Sequence, residues 1–189
     1  MIPLALRPSR LNLGLIGAGA PAVRRLRGLQ KAGAQETLKV FTLDPALAAQ
    51  AGKTAFLRLP TQEEIQDLHV LWIAGLEEDI YRPLADIARA SKVLLNVEDV
   101  PEFCDFNAVA EVRRGDLLLT ISTNGQAPGL AGTIRRRLEN CFPESWAHRV
   151  KQVAALRQSC REEKLTMAET AQRVDAFVDE QCWLSCPKS

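Results

Sequence analysis

The sequence predicts an α/β protein in which a parallel sheet is followed by a small central region and a helical C-terminal part. Residues 11–16, 38–43 and 69–74 form short apolar runs with the composition of buried strands. Apolar residues at helical spacing separate the first two runs, and a helix over 80–91 and a strand over 92–97 continue the alternation. Parallel strands need a crossover connection, so this alternation favours one parallel sheet.

The composition is that of a folded protein and excludes several functional classes. Hydrophobic residues make up 47% of the chain and charged residues 25%, which is typical of globular domains. The net charge of +1 argues against a general nucleic-acid binder, because neutralising many phosphates needs a surplus of Lys and Arg. No run approaches the ~20 apolar residues that cross a bilayer, so we expect a cytoplasmic protein without a membrane segment.

The cysteines and histidines do not indicate a metal site. His69 and His148 lack a partner at ligand spacing, and we interpret each as structural. The cysteines are odd in number and without paired spacing, and we expect free thiols. They are Cys104, Cys141, Cys160, Cys182 and Cys186.

A glycine-rich turn joins the first strand to the first helix. Residues 17–22 have the pattern Gly-x-Gly-x-x-Ala, in which backbone N–H groups approach a pyrophosphate at a helix N-terminus. Gly17 permits the tight turn, Gly19 leaves room for the diphosphate, and Ala22 lets the helix pack closely on the strand. The alternative is a turn that merely connects strand and helix.

Asp44 ends the second strand, where an acidic side chain accepts hydrogen bonds from the adenosine ribose hydroxyls. Together with the turn, it predicts a Rossmann-type domain that binds NAD rather than NADP. The alternative is an aspartate that starts a turn before Pro45. The predicted cofactor-binding residues are Gly17, Gly19, Ala20, Pro21, Ala22, Leu43, Asp44, Ala74 and Gly75.

The second half of the chain contains a strand over 116–122, a polar loop, a helix from Pro128 and further helices after Pro143. Thr166 and Glu169 have the spacing of a capping box, after a break near Lys164. We therefore expect an NAD-binding domain over residues 1–113, a central region over 114–142 and a helical domain over 143–189.

Two stretches carry a resemblance to a known family: NVEDVPEFCDF at 96–106 and RRGDLLLTISTNGQAPGLAGTIRRRLE at 113–139. With the glycine-rich turn, they resemble the N-terminal module of siroheme synthases, the precorrin-2 dehydrogenase/sirohydrochlorin ferrochelatase family. The resemblance implies NAD-dependent oxidation of precorrin-2 to sirohydrochlorin. It also implies ferrous iron as a possible second substrate and a homodimer formed through residues 114–142.

The resemblance also implies roles for individual residues. The family's general base is an aspartate in the Asn-Val-x-Asp stretch, and Asp99 occupies that position. The substrate is an acidic tetrapyrrole, so cationic and hydrogen-bonding groups are expected around its carboxylates. The predicted substrate-binding residues are Asn96, Arg113, Ser122, Thr123, Asn124, Gly125 and Arg135. Glu98, next to Asp99, departs from the family pattern.

Other interpretations stay open at this point. An NAD-binding sensor or regulatory module would keep the turn and Asp44 without chemistry at Asp99, and an assembly partner would keep only the fold. A dehydrogenase without chelatase activity is a third possibility. The sequence leaves open the preference for iron or cobalt and any phosphorylation of Ser122 or Thr123.

Overall fold

A computed structural model describes residues 2–184, which divide into two compact units between Asn107 and Ala108. The strands of the first unit are β1 (Leu13–Gly17), β2 (Leu38–Phe41), β3 (Ala55–Phe56), β4 (Val70–Ala74) and β5 (Leu94–Val97). They form a parallel sheet in the order β3-β2-β1-β4-β5, which confirms the predicted Rossmann-type α/β fold.

The helices of the first unit are α1 (Gly19–Lys31), α2 (Pro45–Ala51), α3 (Gln62–Gln66) and α4 (Glu78–Ala90). The core lies on both faces of the sheet, in two clusters of buried side chains. Along β1, Leu15 belongs to one cluster and the adjacent Ile16 to the other. Every residue of β1 and β4 is buried, which explains why these strands are continuous apolar runs.

The strand register brings the carboxyl ends of the central strands to one edge of the sheet. Gly17 at the end of β1 lies opposite Ala74 at the end of β4, and Ile73 lies opposite Val97 of β5. After β1 the chain adds β2 and β3 on one side of that strand, and it then crosses over to add β4 and β5 on the other side. A ligand-binding crevice is expected outside the carboxyl ends of the two strands at which the direction reverses, here β1 and β4. The predicted site residues of this unit belong to this edge.

The second unit contains an antiparallel hairpin of β6 (Ala110–Arg114) and β7 (Leu117–Ile121), followed by three helices. These are α5 (Pro128–Cys141), α6 (Trp146–Glu162) and α7 (Met167–Glu180). The predicted domain boundary after residue 113 falls inside β6, whereas the units divide before it, because β6 pairs with β7 instead of the large sheet.

The predicted start of α7 is confirmed. Thr166 and Glu169 form a capping box, in which the Thr166 hydroxyl accepts from the Glu169 N–H and the Glu169 carboxylate accepts from the Thr166 N–H. Lys164 ends the preceding segment with a φ of 59°, in the left-handed region. The start of α7 could be predicted from the sequence because helix propensity and capping depend on residues close together in the chain.

The expectation of free thiols holds for Cys104 and Cys160 and is wrong for Cys141, which is disulfide-bonded. Spacing along the chain does not reveal which sulfur atoms meet in the fold, and Cys186 lies outside the described residues. None of the helices within residues 2–184 is long and apolar enough to cross a membrane.

Candidate active site

The glycine-rich turn is in close backbone contact with the end of β4. A Cβ atom at Gly17 would lie 2.2 Å from the Ala74 carbonyl oxygen and 2.8 Å from the Ala22 Cβ. Gly75 has a φ of 68°, and a Cβ there would lie 2.2 Å from the Ala18 carbonyl oxygen. Only glycine fits at these two positions, because backbone atoms cannot move aside as a flexible side chain can.

The turn is bonded directly to the acidic residue after β2. The Gly19 N–H donates to Asp44 Oδ2 at 3.0 Å, and Asp44 Oδ1 accepts from the Ala46 N–H at 2.8 Å. These two hydrogen bonds lower the pKa of Asp44 below its ordinary value of 3.8, and the bond from Gly19 has the larger effect. Asp44 is thus an ionised acceptor next to the turn, and it also caps the N-terminus of α2 before Pro45.

The first turn of α1 leaves one backbone donor for a ligand. The Ala18 N–H donates to the Ala74 carbonyl at 3.1 Å, the Gly19 N–H donates to Asp44, and Pro21 has no N–H, so the Ala20 N–H is the one that remains. Pro21 lies in this first turn, where its missing N–H is tolerated. Ala20 is exposed, and Leu43 has an exposed fraction of 63%. The glycines, the Ala20 N–H and Asp44 fit the pyrophosphate and adenosine ribose of a dinucleotide.

Asp99 lies just after β5, at the same edge of the sheet. Its side chain is exposed, and its φ of 64° puts it in the left-handed region, which is uncommon for a residue other than glycine. The neighbouring backbone is held by hydrogen bonds from the Glu98 N–H to the Ile73 carbonyl, at 2.9 Å, and from the Val100 N–H to the Val97 carbonyl, at 3.2 Å. The turn therefore presents the Asp99 carboxylate to solvent on a fixed backbone.

Asn96 and Cys104 support the turn that carries Asp99. Asn96 Nδ2 donates to the Phe106 carbonyl at 2.9 Å and to Cys104 Sγ at 3.3 Å. The Cys104 thiol in turn donates to the Val97 carbonyl at 3.1 Å. The sequence suggested Asn96 as a substrate contact, whereas the structure buries its side chain and uses its amide hydrogens inside this turn.

Sequence reasoning missed an ion pair between α1 and the end of β5. Arg24 Nη2 lies 3.4 Å from Glu98 Oε1, and Glu98 Oε2 is buried with no hydrogen-bond partner among residues 2–184. The two residues are 74 positions apart, so no local pattern indicated the contact. The pair bridges the helix that follows the glycine-rich turn and the segment that carries Asp99.

The remaining predicted substrate residues belong to the second unit. Residues 122–125 form the loop between β7 and α5, in which Thr123 Oγ1 accepts from the Ala127 N–H at 3.2 Å. Arg113 pairs with Glu111 at 3.0 Å, and Arg135 pairs with Glu139 one helical turn away. The 122–125 loop and the two arginines are thus held by contacts within the second unit.

Two family models match the chain. The model described as putative NAD(P)-binding matches residues 4–110, and the model described as sirohaem biosynthesis protein central matches residues 114–140. A solved structure titled SirC, precorrin-2 dehydrogenase, superposes with a TM-score of 0.73 at 20% identity, over 98% of this chain and 93% of that one. This similarity confirms the fold.

Curated relatives are longer proteins. The siroheme synthase of Nitrosococcus oceani is 31% identical over 155 residues, which are 80% of this chain and 33% of the relative. That of Salmonella dublin is 28% identical over 158 residues, or 82% of this chain and 35% of the relative. The chain thus spans about a third of the length of these relatives. From the motifs, the fold and these matches, the chain belongs to the putative NAD(P)-binding family, in the form found in the N-terminal module of siroheme synthases.

Proposed function

We propose that the protein is an NAD-dependent dehydrogenase that oxidises precorrin-2 to sirohydrochlorin. The observation that carries the proposal is the hydrogen bond from Gly19 to Asp44, which joins the glycine-rich turn to an ionised acceptor at the sheet edge where Asp99 also lies. The names of the relatives, siroheme synthase and precorrin-2 dehydrogenase, support the choice of substrate.

The residues that would hold NAD follow from the geometry of the edge. Gly19 leaves space for the pyrophosphate, since a Cβ there would meet only Pro21 Cδ at 3.9 Å, and the Ala20 N–H would bind a pyrophosphate oxygen. The Asp44 carboxylate would accept from the ribose hydroxyls and would repel a 2′-phosphate, which favours NAD over NADP. Bound NAD supplies the hydride acceptor of the reaction.

The oxidation removes a hydride and a proton from precorrin-2, and the proton needs a base. Asp99 suits this role because its carboxylate is exposed on an ordered turn at the strand ends. The acid groups of the tetrapyrrole require donors and cations. The 122–125 loop, Arg113 and Arg135 are our candidates for these contacts.

The test is to incubate the purified protein with precorrin-2 and NAD while recording the absorbance of the tetrapyrrole and of NADH. We expect conversion to sirohydrochlorin with one NADH formed per tetrapyrrole. Asp99→Ala should reduce turnover by about 100-fold or more without changing the Kd of NAD. Asp86→Ala, at an exposed site on α4, is the matched control.

The outcomes separate the interpretations. Binding of NAD without oxidation would favour a sensor or regulatory module, and absence of NAD binding would reject both. Normal turnover in Asp99→Ala would remove this residue as the base.

We also propose ferrous iron as a second substrate, with Asp99 accepting pyrrole protons during insertion. Within residues 2–184 no three His, Cys, Asp or Glu side chains are grouped to hold a resident metal ion. The test adds ferrous or cobaltous ion to sirohydrochlorin with and without protein, and a rate equal to the non-enzymatic one would reject chelatase activity. The resemblance further supports a cytoplasmic homodimer formed through residues 114–142, which sedimentation velocity would test by the mass of the particle.

A further inference from the structure

Asp99, the residue proposed as the base, has a backbone conformation that its neighbours must maintain. Its φ of 64° lies in the left-handed region, where the Cβ atom crowds the following carbonyl oxygen. Such a residue keeps this conformation only where the surrounding structure holds it. The place of the Asp99 carboxylate relative to bound NAD therefore depends on the contacts that fix the turn over residues 97–100.

The turn over residues 97–100 is held from two directions. The chain that follows it contributes the Cys104 thiol, which donates to the Val97 carbonyl at 3.1 Å. The neighbouring elements contact it through Glu98, whose N–H donates to the Ile73 carbonyl of β4 at 2.9 Å. The Glu98 side chain extends to α1, where its Oε1 lies 3.4 Å from Arg24 Nη2. Glu98 thus links the turn to the helix that begins in the glycine-rich turn.

Burial makes the link between Glu98 and Arg24 more than a surface ion pair. The Glu98 side chain has an exposed fraction of 19%, against 66% for Arg24, and Glu98 Oε2 is buried without a hydrogen-bond partner in the described part of the chain. A largely buried carboxylate is unfavourable unless a cation compensates its charge, so removing the cation costs more than the pair itself contributes. Without Arg24, the carboxylate would move towards water and carry the adjacent Asp99 backbone with it.

Helix α1 is a firm support for this contact. Ala22 and Leu26, two residues before and after Arg24, are fully buried and belong to a core cluster on one face of the sheet. The first residue of the helix, Gly19, donates its N–H to Asp44 in the proposed cofactor site. Arg24 therefore extends from the same helix that forms part of this site. Its contact with Glu98 relates the position of the cofactor to that of the base.

We propose that Arg24 and Glu98 are positioning residues, which as a pair hold the Asp99 carboxylate at a fixed place relative to the cofactor-binding turn. Neither side chain takes part in the chemistry, and both act through Asp99. The catalytic consequence rests on the proposed dehydrogenase function, whereas the order of the turn can be measured without the reaction. The pair also gives a role to Glu98, the residue that departs from the family pattern.

The first experiment measures amide hydrogen exchange by NMR in the full chain without ligands. Arg24→Gln should speed the exchange of the Glu98 and Val100 amides about tenfold or more, because the turn opens more often. The exchange of Leu15, in the centre of the sheet, should not change. Arg25→Gln removes the same charge at the next residue of α1 and should leave all three rates as in the wild type.

The exchange rates decide the inference independently of any activity. Equal rates in the wild type and in Arg24→Gln would overturn it. An equal increase at Leu15 would indicate a general loss of stability, and the same increase in Arg25→Gln would indicate an effect of helix charge alone. Either result would also overturn the inference.

A double variant tests whether Arg24 acts through Glu98. Glu98→Gln should speed the exchange of the turn less than Arg24→Gln does, because a neutral amide is less unfavourable in a buried place than a carboxylate without its cation. Adding Arg24→Gln to Glu98→Gln should then change the rates by less than about twofold, since the pair is already broken. A full tenfold effect of Arg24→Gln in this background would overturn the pairing.

Turnover with precorrin-2 tests the catalytic consequence. Arg24→Gln should lower kcat about tenfold and leave the Kd of NAD within about twofold of the wild type, because the base is displaced while the cofactor site is kept. Arg25→Gln should keep the wild-type kcat. In the Asp99→Ala background, Arg24→Gln should cause no further loss, since it acts through the missing carboxylate.

The outcomes separate this inference from the proposed function. An unchanged kcat in Arg24→Gln, or a further loss when it is added to Asp99→Ala, would overturn the positioning role while leaving the dehydrogenase intact. A wild-type protein that does not oxidise precorrin-2 would reject the proposed function, and the exchange rates of the turn would then decide the inference alone.

Discussion

Replacing Gly17 by alanine tests the close contact between β1 and β4 on which the proposed cofactor site depends. The added Cβ would lie 2.2 Å from the Ala74 carbonyl oxygen and 2.8 Å from the Ala22 Cβ. Neither neighbour can rotate away, because one is backbone in the centre of the sheet and the other is a buried methyl group. The two strands or the start of α1 must therefore move apart.

The expected loss of stability follows from this overlap. Inserting a methyl group into a packed region destabilises by about 1–3 kcal/mol, and for a domain of about 100 residues each kcal/mol lowers the Tm by about 4–8 °C. The Tm should thus fall by roughly 4–24 °C. Gly28→Ala is the matched control, because Gly28 is inside α1 with nothing within 4 Å of the added Cβ. It should stabilise by about 0.5–1 kcal/mol, since alanine is the better helix former.

The assay is thermal unfolding of both variants, followed by NAD titration at a temperature where both are folded. Gly17→Ala should also weaken NAD binding by about tenfold or more, because the pyrophosphate position depends on the same contact. Gly28→Ala should bind NAD like the wild type. A Gly17→Ala protein with wild-type Tm and wild-type NAD affinity would refute the role that we assign to this contact.

Further predictions concern Asp44, Glu64 and Cys104. Asp44→Asn should weaken NAD about tenfold, measured by titration, while keeping the α2 cap, because asparagine caps well but has no charge. As the pKa of Asp44 is lowered, wild-type NAD affinity should stay constant from about pH 8 to about pH 5, and a loss within that range would contradict its role. Hydrogen bonds from Arg58 and then from Thr61 lower the pKa of Glu64 from 4.5 to about 2. The ionised Glu64 therefore stabilises the folded state fully above pH 4.5, and this stabilisation is lost as the pH falls through about 2. Urea unfolding of Glu64→Gln should therefore show a deficit of about 1 kcal/mol at neutral pH that shrinks towards about pH 2, and a pH-independent deficit would contradict it. Cys104→Ala should reduce precorrin-2 turnover without changing NAD affinity. Cys104→Ser should keep turnover close to that of the wild type, because its hydroxyl can also donate to the Val97 carbonyl. Equal turnover in the wild type and both variants would exclude a positioning role for Cys104.

The sequence predicted the elements that carry a recognisable apolar pattern, including the four-residue strands β2 and β5, and missed β3, β6, α2 and α3. β1 and β4 are buried on both faces, so their apolar runs are visible without any partner. β3 has two residues and exists because it pairs with β2, while β6 buries only Val112 and depends on its hairpin partner β7. Helices α2 and α3 are also short, with seven and five residues. Such elements carry too few residues for a periodic pattern.

In the candidate site, too, some residues could be predicted from the sequence and others could not. Motif spacing predicted the glycine-rich turn and Asp44, and the family resemblance predicted Asp99, because each occupies a set place relative to a strand end. The sequence did not indicate the contact of Arg24 with Glu98, and it suggested an outward role for Asn96, whose amide is used inside the Asp99 turn.

The sequence by itself determined the parallel sheet, the need for glycine at the first strand end and the helix start at Thr166, since each depends on residues that are neighbours in the chain. Only the tertiary structure decided that the Gly19 N–H binds Asp44, that Cys104 holds the Asp99 turn, and that Arg149 lies between two indole rings. The physical reason is that hydrogen bonds and ring contacts act over a few ångströms, and the packing of distant segments decides which groups come that close.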